Sequence, residues 1–122
     1  MAKREEIALD RLTLVEVEAV EEFVEAIYHH FSDMAAQIIL FGSKARGESH
    51  AGSDIDVLVV VRREDWRLSN AISTLAARIS YEHDVLLGPV VIGQERWERM
   101  GREKFSLYRN IAWEGKVILP PV

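Results

Sequence analysis

Two aspartates separated by one residue, Asp54 and Asp56, stand at the head of the apolar run Val57 to Val61. Alternate side chains of a strand point to one face, so the spacing predicts that both carboxylates project together. Like charges held side by side repel unless a cation lies between them, and oxygen-only ligands suit a hard ion such as Mg²⁺. Upstream, the run Gln37 to Phe41 stops at Gly42-Ser43 and gives way to a polar loop. A strand ending in Gly-Ser offers backbone N–H groups, a hydroxyl and no Cβ obstruction, which suits an anion. Lys44 and Arg46 add positive charge to the same loop. Downstream, Asp84 opens the next apolar run. If its strand lies beside that of Asp56, it supplies a third carboxylate. Such a set could hold two metals about 4 Å apart and leave one carboxylate to take a proton from an attacking hydroxyl.

Each residue also has an ordinary explanation. Gly42-Ser43 could be a plain strand-to-helix turn, Asp54 a turn cap, and Asp84 a solvated helix-to-strand turn. Asp56 is harder to dismiss, because aspartate is disfavoured inside a strand and this one abuts five consecutive apolar residues. Gly42 to Ser49 has the two glycines and final serine of a P-loop, but Glu48 stands where the phosphate-binding lysine is required. The P-loop reading fails there. His29, His30, His50 and His83 lack metal-ligand spacing and read as surface residues. Trp66, Trp97 and Trp113 read as core or interface residues rather than base-stacking platforms.

The elements that must position this chemistry follow from periodicity. Thr13 and Glu16 have the spacing of a capping box. Val17, Val20, Phe23 or Val24, Ile27, Tyr28 and Phe31 then recur at helical intervals, with Glu18, Glu21, Glu22 and Glu25 opposite. Gln37 to Phe41 predicts a central strand, and Ile55 to Val61 a second. Leu68, Ile72, Leu75, Ala76 and Ile79 predict another helix, ending about Glu82. Asp84 to Ile92 predicts a third strand, in which Gly88-Pro89 demands a bulge or an edge position. Gln94 to Met100 and Lys104 to Trp113 predict two short helices. The last has Phe105, Tyr108, Ile111 and Ala112 on one face and Gly115 as an αL cap. Val117 to Leu119 closes with a short strand. The fold class is α/β (α+β).

At 122 residues and 48% hydrophobic, the chain fits one domain spanning 1–122. That domain would comprise an N-terminal helix at about 13–31, a core at about 36–92 and C-terminal helices with a short strand at about 93–119. The absence of cysteine excludes disulfides, thiolate zinc sites and cysteine nucleophiles. No apolar run approaches the length of about 20 residues that spans a bilayer, and the start lacks a signal peptide's apolar core. A soluble, cytoplasmic protein is expected. The net charge of −5 is concentrated in the first third of the chain, which argues against sequence-independent nucleic-acid binding. An acidic first helix would instead be solvated or meet a basic partner.

Gly42-Ser43-x-Ala45-Arg46-Gly47 followed by Ser53-Asp54-Ile55-Asp56-Val57 closely resembles the signature of the polymerase-β-like nucleotidyltransferases. Within that superfamily the chain is similar to the minimal nucleotidyltransferases, small proteins commonly paired with HEPN-domain toxins. The resemblance covers roughly residues 36–119 and extends, less specifically, to Tyr108-Arg109-Asn110-Ile111 and Glu114-Gly115-Lys116-Val117. It implies a short mixed sheet with packed helices, and transfer of a nucleoside monophosphate from an NTP to an acceptor hydroxyl with release of pyrophosphate. Carried over by position, Gly42, Ser43, Arg46 and Ser53 would bind the nucleotide. Asp54, Asp56 and Asp84 would be catalytic and ligate Mg²⁺, as two ions, with ATP as donor. The implied partner is a HEPN toxin modified on a tyrosine by adenylylation, so the chain would be its antitoxin. Two other readings stay open: a binding module that neutralises a partner by complex formation, and a nucleotidyltransferase for small molecules. Assembly as a homo- or hetero-oligomer is compatible with either.

Overall fold

The computed structural model describes residues 12–42 and 54–119. Helix α1 (Leu14–Phe31) begins with the capping box, in which Thr13 N–H donates to Glu16 Oε1 at 2.9 Å and Glu16 N–H to Thr13 Oγ1 at 3.2 Å. Its stripe Val20, Phe23, Val24 and Ile27 is buried, whereas Tyr28, expected on that stripe, is 56% exposed. Strand β1 (Ala35–Phe41) follows, then β2 (Ile55–Val61), helix α2 (Trp66–His83) and strand β3 (Leu87–Gly93). Helices α3 (Gln94–Arg102) and α4 (Ser106–Glu114) and strand β4 (Lys116–Leu119) complete the order.

The four strands form one mixed sheet in the order β3-β2-β1-β4. β2 runs antiparallel to β1 and parallel to β3, and β4 runs antiparallel to β1. β1 is central, and Ile38, Ile39 and Leu40 are all buried because helices cover both faces. On one face, Ile38, Leu40, Ile55, Val57, Val59 and Val61 pack against α1 and α2. On the other, Ile39, Leu58, Val60 and Ile92 pack against Trp97 and Met100 of α3 and Ile111 of α4. The period-2 alternation of each strand thus divides the core into two layers.

Three expectations need correction. β3 begins at Leu87, not at Asp84, because α2 runs to His83 and Asp84 closes it in the left-handed conformation (φ 55°, ψ 48°). Aspartate is one of the few residues that adopts this conformation readily. Gly115 is extended (φ −71°, ψ 151°) rather than αL. It is glycine for a different reason: a Cβ there would collide with the Ile111 carbonyl oxygen and stand 2.6 Å from Ile39 Cγ2. Of the face expected on the last helix, Ile111 is buried and Tyr108 half-buried, while Ala112 and Phe105, the residue before α4, are exposed. Gly88-Pro89 takes the edge option. β3 has one neighbour, β2, so the missing proline N–H breaks no second ladder.

Candidate active site

Asp56 lies one residue into β2, paired with Phe41 of β1 on one side and Gly88 of β3 on the other. Its neighbours Ile55 and Val57 turn into the α1/α2 layer. Alternation therefore sends Asp56 to the α3/α4 face, where it is half-buried. Glycines flank its carboxylate. A Cβ on Gly42 would collide with Asp56 Oδ2, and one on Gly88 would stand 3.7 Å from Oδ1. Gly42 also adopts φ +78°, a conformation that side chains penalise, as β1 hands over to the loop. A side chain at position 42 would thus crowd an acceptor-only oxygen pair, the donor chemistry a hard cation takes.

Asp54 precedes β2 by one residue and is exposed. Ser43, Arg46 and Ser53 lie outside the described residues. Asp84 is exposed at the C-terminus of α2, where its N–H donates to the Ser80 carbonyl. Among the described residues, Asp54, Asp56 and Asp84 are not a group whose oxygens all lie within 4.8 Å of one another. The group that meets this distance is Glu22, Glu82 and His83. Its members are already engaged: His83 Nε2 lies 2.7 Å from Glu22 Oε1, and Arg78 Nη1 lies 3.1 Å from Glu82 Oε1 and 3.7 Å from Glu22 Oε2. These contacts join α1 to α2. They explain the cluster as an interhelical ion-pair network, and they tie down part of the face expected to be freely solvated.

The sequence alone singled out neither Leu86 nor Gly88 as a site residue. Both lie at the level of the aspartates, since Ile55 pairs with Leu87 and donates its N–H to the Leu86 carbonyl at 2.7 Å. The signal available was Gly88-Pro89 itself, once β3 is set parallel to β2. Concavity does not mark the site either. A groove of about 690 Å³ on α4, lined by Lys104, Arg109 and Trp113 among others, contains neither Asp54 nor Asp56.

Residues 17–118 match the nucleotidyltransferase domain family. The chain belongs to that family. Two Methanocaldococcus jannaschii proteins that carry the name protein adenylyltransferase are similar to this nucleotidyltransferase. MJ0604 is 32% identical over 103 residues, covering 84% of this chain and 97% of its own. MJ0141 is 34% identical over 76 residues, covering 62% and 77% respectively. In structure, the nucleotidyltransferase superposes on the toxin–antitoxin MntA–HpeT in two mutant forms, with TM-scores of 0.56 and 0.54 at 19% and 18% identity. Each superposition covers 80% of this chain, and 69% and 70% of those chains. The fold is the polymerase-β-like nucleotidyltransferase fold that the loop and aspartate motif implies. No helix among the described residues is long and apolar enough to cross a membrane.

Proposed function

We propose that this nucleotidyltransferase is a Mg²⁺-dependent protein adenylyltransferase that moves AMP from ATP to a tyrosine hydroxyl of a HEPN-domain toxin, and so acts as its antitoxin. The observation that carries the reading is the Asp56 carboxylate seated between Gly42, at the end of β1, and Gly88 of β3. The names of the two Methanocaldococcus relatives support protein adenylylation, and the MntA–HpeT pair supports a toxin partner. In one of the two MntA–HpeT forms, two aspartates with the same one-residue spacing as Asp54 and Asp56 are replaced by glutamate.

In this reading Gly42, Ser43, Arg46 and Ser53 receive the triphosphate, and Asp54 and Asp56 hold the metal. Magnesium, when bound, neutralises phosphate charge and polarises the α-phosphorus. The acceptor oxygen forms a bond to that phosphorus, the bridging bond to the β-phosphate breaks, and pyrophosphate leaves while the hydroxyl proton passes to solvent. The chain itself contributes position and charge rather than a nucleophile. Gly42 lets the end of β1 approach the Asp56 carboxylate, and the pairing of Phe41 with Asp56 fixes the two strands there.

The test incubates the protein and Mg·ATP with the product of the adjacent gene and records the neighbour's intact mass. The expected result is a gain of one adenylyl group that Asp56→Asn abolishes, at least a hundredfold below wild type. An unmodified neighbour that is nevertheless neutralised, equally by wild type and by Asp56→Asn, contradicts catalysis and favours neutralisation by binding.

A further inference from the structure

Strand β3 is the element that should bring a third carboxylate to the pair on β2. Side chains at the same level of two parallel strands share a face. Asp56 pairs with Gly88, so the positions that accompany the aspartates are 88 on β3 and, two residues upstream and just before the strand, 86. Further along the same face, Val90 and Ile92 enter the α3/α4 layer, which confirms the alternation. Leu87 turns into the opposite layer, so Leu86 falls on the aspartate side, where it is 53% exposed. The two positions hold leucine and glycine. Neither is a carboxylate.

Asp84 lies outside the strand, held there by backbone hydrogen bonds. The N–H groups of Asp84 and Val85 both donate to the Ser80 carbonyl, the latter at 3.1 Å. Leu87 N–H donates to Ser80 Oγ at 3.0 Å, and that hydroxyl is itself fixed on the Ala76 carbonyl at 2.7 Å. The turn from α2 into β3 is thus pinned to one serine, with Asp84 as its left-handed cap.

We propose that the centre is a two-carboxylate site: Asp54 and Asp56 hold a single divalent cation together with the nucleotide's phosphates, and Asp84 is a helix cap that ligates nothing. The inference rests on the reading that a metal and a nucleoside triphosphate meet at this pair. Leu86 then presents an apolar wall beside the carboxylates, at the place where a second metal's ligand would stand. No β3 carboxylate takes the acceptor's proton.

Native mass spectrometry with Mn²⁺ and α,β-methylene-ATP, which cannot release pyrophosphate, counts the ions directly. The expected complex carries one nucleotide and one Mn²⁺ per chain. Asp84→Asn and Asp84→Gly, both of which suit a left-handed cap, keep that count and the wild-type Mn²⁺ affinity within twofold. Leu86→Asp adds a second ion. Two ions in the wild type, one of them lost in Asp84→Asn, overturn the two-carboxylate centre and leave the adenylyltransferase reading intact. Absence of any Mn²⁺-dependent nucleotide complex in the folded wild type overturns both.

Discussion

Asp56 is a carboxylate inside a strand whose next five residues are buried and apolar, a placement that strand propensity disfavours. The two glycines beside it are not equivalent. Gly42 combines φ +78° with a Cβ direction aimed into the carboxylate, whereas Gly88 has ordinary backbone and leaves van der Waals room. A side chain in the left-handed region costs about 1–2 kcal/mol before any collision. Gly42→Ala should therefore lower the melting temperature by several degrees and cut transfer at least tenfold. Gly88→Ala should leave stability within about 1 kcal/mol, since its Cβ meets only an ordinary contact. Thermal unfolding and transfer assays on the two variants check this ranking, and equal effects would contradict the geometry around Asp56.

The elements divide between those the periodicity of the chain marks plainly and those fixed by contacts distant in sequence. α1, α2, β1 and β2 could be read because their apolar spacing is long and regular and because Thr13 and Glu16 supply a cap to α1; the cap of α2, in which Asp65 Oδ1 accepts from Arg67 N–H at 2.8 Å, was not read. The start of β3 could not, since Asp84-Val85-Leu86 looks like strand in sequence and only the hydrogen bonds to Ser80 make it a turn. Gly115 misled because its requirement comes from the Ile111 carbonyl and from Ile39 on another element, not from its own φ. The tryptophans divide too. Trp97 is buried with its ring centroid 4.5 Å from that of Tyr108, whereas Trp66 is 73% and Trp113 91% exposed. Ile79→Ala, which opens the α1/α2 layer, should destabilise by about 2–5 kcal/mol. Trp113→Ala should change stability by no more than about 0.5 kcal/mol. Urea unfolding of both variants measures the difference, and a large loss for Trp113→Ala would show that α4 is packed in a way its exposure denies.

At the scale of the molecule, the sheet order turns a local motif into a site. The antiparallel β1–β2 pair brings the end of one strand, Gly42, to the start of the next, Asp56, although thirteen residues separate them in sequence. The two strands were legible as apolar runs either side of a polar loop; their antiparallel pairing is set by the structure. That β2 and β3 are neighbours was foreseen only as a condition, and their register, which sets Gly88 beside Asp56, was signalled by nothing but the Gly88-Pro89 step. The central claim is that this assembly transfers a nucleoside monophosphate under the control of Asp54 and Asp56. Its most direct measurement counts pyrophosphate released from Mg·ATP in the presence of the adjacent gene's product, alongside adenylyl groups gained by that product. The account predicts equal numbers for the wild type and neither for Asp56→Asn or after chelation of the metal; pyrophosphate release that survives Asp56→Asn would contradict it.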